Sequence, residues 1–176
     1  MRRFLLIAAS LIVLASIALY AQTAPKSAQT AAAAGGKIAS SWKCAPPNPS
    51  NAIPVGDEPG HAYMIDQSKC TATKGEIEGL KEVEGTSTEF GEVTGNTVKG
   101  HGIFTESLAN GDKITVTYDF TGTMVNNMPS SGTDKWTVKN GTGKFKGMKG
   151  GGTCTGKWNP DGSANFECAG TYTLAK

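Results

Sequence analysis

The sequence predicts an all-β domain, an eight-stranded antiparallel up-and-down barrel braced by disulfides. Three observations carry that expectation. Beyond the N-terminal region no segment shows a 3.6-residue apolar period, while short alternating runs separated by turn residues recur from Ile38 to Thr173. Glycine is abundant, with 23 in the chain, and proline gathers between Pro46 and Pro59. Four cysteines, Cys44, Cys70, Cys154 and Cys168, stand far apart in sequence.

Ahead of the domain, Met1-Arg2-Arg3 leads into an apolar run from Phe4 to about Tyr20, with small residues near Ala18 and Ala21. A charged start, an apolar centre and small residues before a cut site form the pattern of a secretory signal peptide. Residues 1–21 are read as that peptide, with Gln22 as the first mature residue. The alternative is an uncleaved anchor, for which a run of about 17 residues lies at the short end of what spans a bilayer. Either way the remainder is exported, so the expected location is periplasmic or secreted, with no stable membrane insertion once the signal is gone. Residues 22–36 are Ala, Thr, Ser, Gln, Lys, Pro and Gly, with nothing large to bury, and read as a disordered tether. Residues 37–176 remain as one domain.

Arg2 and Arg3 are the only arginines; without them the 17 basic residues fall to 15, level with the 15 acidic ones. A neutral chain without arginine lacks both the basic face and the bidentate donor that nucleic acid calls for, so that partner class is excluded.

Eight strands are expected: Ile38–Cys44, Ala62–Thr71, Val83–Val93, Gly102–Leu108, Ile114–Phe120, Lys135–Lys139, Thr153–Trp158 and Asn165–Thr173. Eight is a number at which an antiparallel sheet closes and loses its edges. Strand glycines such as Gly85, Gly102 and Gly170 are read as the bends and bulges of a small barrel. Asn110-Gly111 reads as a two-residue type I′ turn, and that register sets His101 opposite Phe120. Asn159-Pro160-Asp161-Gly162 reads as a second turn. Centred on Asp161, it sets Cys154 against Cys168, within disulfide reach, and leaves Cys44 to join Cys70. A four-thiolate metal site is the rival, disfavoured by the long spacings and by export.

The run Gly141-Thr142-Gly143-Lys144-Phe145-Lys146-Gly147, preceded by Trp136-Thr137-Val138 and followed by a hairpin ending Gly170-Thr171-Tyr172, resembles the C-terminal half of the allene oxide cyclase-like, dirigent-like barrels. A weaker likeness runs over the mature chain to exported bacterial proteins of that type. The resemblance implies a calycin-like antiparallel barrel with an apolar interior. It brings no activity with it, because dirigent pockets use arginines that the mature chain lacks.

The expected ligand-binding face comprises Ile114, Val116, Tyr118 and Phe120, with Ile103 and His101 as hairpin partners and Trp136 nearby; Trp42 and Tyr172 are further candidate lining residues. Asp57, Glu58 and His61 form a candidate cation site at the end of the Pro-rich loop, set against the reading of a solvated loop. No cofactor motif, metal-ligand spacing or paired-carboxylate signature is present, so no cofactor is expected and catalytic residues are not assigned. Three functions are consistent with this. The first is a non-enzymatic barrel binding a small apolar ligand or envelope component. The second is an isomerase or cyclase steered by one polar group such as His101 or Glu89. The third is a structural or interaction barrel with a filled interior. An interior with room for only a few waters would remove the first two.

Overall fold

The computed structural model describes residues 34–176; the expected signal peptide and most of the expected tether lie outside the described residues. The domain has ten strands: β1 (Gly35–Cys44), β2 (Ser50–Pro54), β3 (Ala62–Lys74), β4 (Glu76–Ile77), β5 (Leu80–Thr94), β6 (Thr97–Leu108), β7 (Lys113–Val125), β8 (Met128–Gly141), β9 (Lys149–Trp158) and β10 (Ala164–Thr173). Eight of them form the expected closed antiparallel barrel. From β5 to β10 each strand pairs with the next, while β1 pairs with β10 on one side and β3 on the other, and β3 returns to β5. The short strands β2 and β4 were not anticipated. β2 pairs with β3 from Ser50↔Asp66 onward, past the end of β1, and β4 makes a two-residue hairpin with β5.

β1 begins two residues ahead of the expected domain start. Gly36 pairs with Tyr172, whose ring fills the space a side chain would need. The bulk that holds this end of β1 is supplied by the partner strand.

Both disulfides join directly opposed residues, Cys44 to Cys70 across β1 and β3, and Cys154 to Cys168 across β9 and β10. The second pair follows from the Asp161-centred turn, where Gly162 donates to the Asn159 carbonyl and Asp161 caps Ser163.

The other hairpin differs from expectation. Leu108 N–H donates to Asp112 O and Gly111 N–H to Leu108 O, and Gly111 alone takes positive φ. This is a three-residue loop, a type I turn closed by a left-handed glycine. Asp112 N–H bonds the Asn110 side chain, which holds the turn in this form. Paired residues are therefore offset by one from the two-residue register: His101 faces Asp119, and Gly100 faces Phe120. A type I′ turn occurs elsewhere, at Asn126-Asn127, where both residues have positive φ.

One end of the barrel is plugged. The Gly143–Phe145 turn of 3-10 helix between β8 and β9 folds Phe145 and Met148 inward against Ile77 and Leu108, leaving Phe145 0% and Met148 1% exposed. Gly141 must lack a side chain because a Cβ there would stand 2.5 Å from the Phe145 carbonyl oxygen.

Phe145→Ala should cost about 3–5 kcal/mol in urea unfolding, the range for emptying a closed aromatic site. Cys44→Ala/Cys70→Ala should cost about 2–4 kcal/mol, because it frees a long loop in the unfolded chain.

Candidate functional site

The candidate site is the barrel interior, and one row of paired residues builds it. Asp66 on β3 pairs with Glu89 on β5, Glu89 with Gly102 on β6, Gly102 with Tyr118 on β7, Tyr118 with Trp136 on β8, and Trp136 with Gly152 on β9. Glycines sit where rings need floor space. A Cβ on Gly102 would stand 2.4 Å from the Tyr118 hydroxyl, so the tyrosine lies across β6. Its hydroxyl thereby reaches β5 and donates to Glu89 Oε2 at 2.8 Å, while Ser87 Oγ bonds the same hydroxyl. Trp136 lies likewise over Gly152 and Gly170, whose Cβ positions fall 2.6 and 2.4 Å from its Cζ2. Gly102 and Gly170, expected as bends and bulges, act together with Gly152 as seats that draw rings onto the wall and away from the axis.

The seating leaves a cavity open along the axis. The centre of a water-sized sphere can range over about 120 Å³ of it. A single buried water needs roughly 10–15 Å³ by such a measure, so the space holds more than a few waters. Trp42 and Phe104 meet edge to face at 4.9 Å on one wall, and Trp158 and Phe166 do so at 5.4 Å on another. Ile114, Val116, Tyr118, Phe120 and Trp136 all line the space. Trp42 lines it too, whereas Tyr172 does not; it packs into the plugged end and donates to Glu78.

His101 and Ile103 do not line the cavity. The three-residue loop moves the register by one, and with a side-chain period of two this turns the whole of β6 over. His101 is exposed beside Phe90, and Ile103 is 39% exposed. The inward face of β6 is Gly100, Gly102, Phe104 and Glu106.

Turning β6 over brings a carboxyl inside, and it is not alone. Glu82, Glu89, Glu106 and Asp134 all line the cavity. Glu82 faces inward because a bulge at Val83 changes the parity of β5 between Glu82 and Gly85. Burial pushes both Glu82 and Glu106 up, and the like charge of Glu82 pushes Glu106 further. Nearer the opposite end, burial and then the charge of Glu89 raise Asp134 to about 7. Glu89 is itself raised by burial, against the opposing hydrogen bond from Tyr118. Burial, then the nearby Glu89 charge, pushes the Tyr118 hydroxyl far up, so it remains a donor. Among the described residues three buried side-chain polar atoms have no hydrogen-bond partner: Asp66 Oδ1, Glu82 Oε2 and Trp136 Nε1.

Outside the barrel, His61 Nδ1 lies 2.6 Å from Asp57 and Nε2 lies 3.0 Å from Glu92 on β5. Hydrogen bonds donated to the Asp57 carboxylate, then to that of Glu92, raise the imidazole pKa. Both ring nitrogens are thus taken up by carboxylates of the loop and β5. Glu58 contributes backbone groups alone, its N–H to Asp57 and its carbonyl to the His61 N–H. Among the described residues no three His, Cys, Asp or Glu side chains are placed to hold a metal ion.

No protein-family model matches the sequence, and no curated protein matches it. Among solved structures the chain is similar to two pterocarpan synthase dirigent proteins. One, PsPTS1, aligns with a TM-score of 0.50 at 11% identity, covering 81% of this chain and 97% of that one. The other, GePTS1, aligns with a TM-score of 0.50 at 13% identity, covering 81% and 92%. At such low identity the likeness is one of architecture: this chain has the closed eight-stranded antiparallel barrel of the dirigent fold.

Proposed function

We propose that this is an exported binding protein that holds a small, largely apolar molecule inside its barrel. The observation that carries the reading is the open axial cavity walled by aromatic and aliphatic side chains, with a few polar groups converging on it. Concave, mostly apolar space with sparse, fixed polar groups is the usual form of a small-molecule site. Two disulfides within one small domain support a working place outside the reducing cytoplasm.

A second reading is favoured by one specific observation. Asp134, a carboxyl raised to about 7, lines the same cavity as the hydrogen-bonded Tyr118–Glu89 pair and is matched to proton transfer at neutral pH. Asp134 could then protonate a leaving or cyclising oxygen on a molecule held against Trp136. The structural neighbours, named as pterocarpan synthase dirigent proteins, give that cyclase reading its plausibility without assigning a substrate here.

All three tryptophans of the chain, Trp42, Trp136 and Trp158, line the cavity. Intrinsic fluorescence therefore reports occupancy directly. Mature protein isolated from its own exported compartment should retain a ligand in native mass spectrometry, and delipidated protein should change its fluorescence on titration with small aromatic and aliphatic compounds. Val116→Phe, which projects a ring into the space, should weaken binding roughly tenfold or more, while His101→Ala should leave it unchanged. No retained mass and no response to any compound would favour the purely structural barrel.

The same carboxyls set a pH dependence. Asp134 titrates at about 7 when folded against an ordinary value of 3.8, so the folded chain holds this proton more tightly than the unfolded one. Its contribution to stability is complete below the lower value and is lost as pH rises through the higher. The Glu82–Glu106 pair acts in the same direction. Asp57 and Glu92, lowered by His61, act oppositely and lose their contribution only in acid. Stability should therefore be greatest near about pH 5 and fall by on the order of 3 kcal/mol by about pH 8, and Asp134→Asn should flatten the fall. Urea unfolding across that range measures both.

A further inference from the structure

We infer that the cavity selects an organic cation, a protonated or quaternary amine on a small apolar body, over neutral and anionic molecules of the same shape. The inference rests on the ligand-binding reading above and names its ligand class.

The first ground is the sign of charge inside. Four carboxyls line the cavity, and a fifth, Asp66, is buried next to Glu89. Nothing basic answers them. The only arginines of the sequence are Arg2 and Arg3, and every lysine among the described residues is exposed. His101 is exposed and His61 is engaged by Asp57 and Glu92 outside the barrel.

The second ground is independent of the acid count. Glu82, 7% exposed and lining the cavity, has no donor for its Oε2, which lies against Gly75 and Ser40, and Asp66, 4% exposed behind Glu89 in the wall, has none for Oδ1. The protein answers neither carboxyl with a cation, so positive charge brought into the cavity would offset part of their burial cost without touching those oxygens.

The third ground separates an organic cation from a metal ion. The carboxyls are dispersed, Glu82 and Glu106 toward the plugged end and Glu89 with Asp134 toward the other, and no three ligating groups converge. A hard cation requires a close shell of six or more oxygens. Here the intervening wall is made of Trp42, Phe104, Tyr118 and Trp136, whose ring faces attract a desolvated ammonium. A cation settling among them favours the ionised form of the carboxyls, so binding near neutrality sheds protons to the buffer.

Choline, 3,3-dimethylbutan-1-ol and 3,3-dimethylbutanoate form a test set in which the first two share shape and hydroxyl and differ in charge. Binding is read by tryptophan fluorescence at about pH 7.5 and by calorimetry in two buffers of different ionisation enthalpy. Choline should bind roughly tenfold or more tightly than the alcohol, with the carboxylate weakest, and should release protons. Asp134→Asn, and separately Glu89→Gln, should reduce the preference for choline while the alcohol still binds. Equal binding of choline and the alcohol would overturn the charge preference and leave the ligand-binding reading standing. Loss of response to all three, with neutral compounds of the wider panel still binding, would do the same. Calcium that competes with choline and reproduces its signal would instead assign a metal site and overturn the inference.

Discussion

The structure depends on β1 being paired along both edges. On one side it meets β10 through ten consecutive partners, Gly35↔Thr173 to Cys44↔Ala164. On the other it meets β3 through only four, with a register shift beside Ser41. That short pairing closes the barrel, and Cys44–Cys70 sits at its end. Without it the sheet would have two free edges and no inside. The closed ladder satisfies the backbone through its own pairing, so the polarity of the interior is decided by side chains alone.

Those side chains are not the ones a stability-optimised core would carry. Apolar packing is concentrated at the plugged end, around Phe145, Met148, Ile77 and Leu108. Above it the axis is left open and acids are turned toward it. Burying carboxyls without counter-charge costs stability, and the chain bears that cost at several positions on different strands. Concentrations of locally unfavourable choices in an otherwise consistent fold mark places where something other than folding is served.

Much of the architecture was legible in the sequence. The alternating runs located the eight barrel strands, and the Asp161-centred turn specified Cys154↔Cys168, leaving Cys44 for Cys70. Ile114, Val116, Tyr118 and Phe120 were readable as one face because polar residues alternate with them without interruption. The polar part of the site was not legible, for local reasons. Asn110-Gly111 fits two hairpin geometries that differ by one residue, and contacts of Asp112, its N–H to Asn110 among them, hold the longer one. That one residue decides whether His101 or Glu106 is inside. On β5, glutamates occur on both faces, and the Val83 bulge exchanges the faces midway. Glu89 could be singled out as a polar residue, but alternation could not show that it shares an interior with Glu82, Glu106 and Asp134.

The ring-bearing glycines carry a consequence for how such a pocket changes over time. Tyr118 and Trp136 take their positions from Gly102, Gly152 and Gly170, which present no side chain of their own. Adding one carbon at any of these would lift a ring off the wall and redraw the cavity outline, although the altered residue would never touch a bound molecule. A lineage carrying this barrel can therefore retune what it admits through backbone-only positions, with the apparent contact residues left untouched. Comparing lining residues alone would miss such shifts; the informative positions lie one or two strands away.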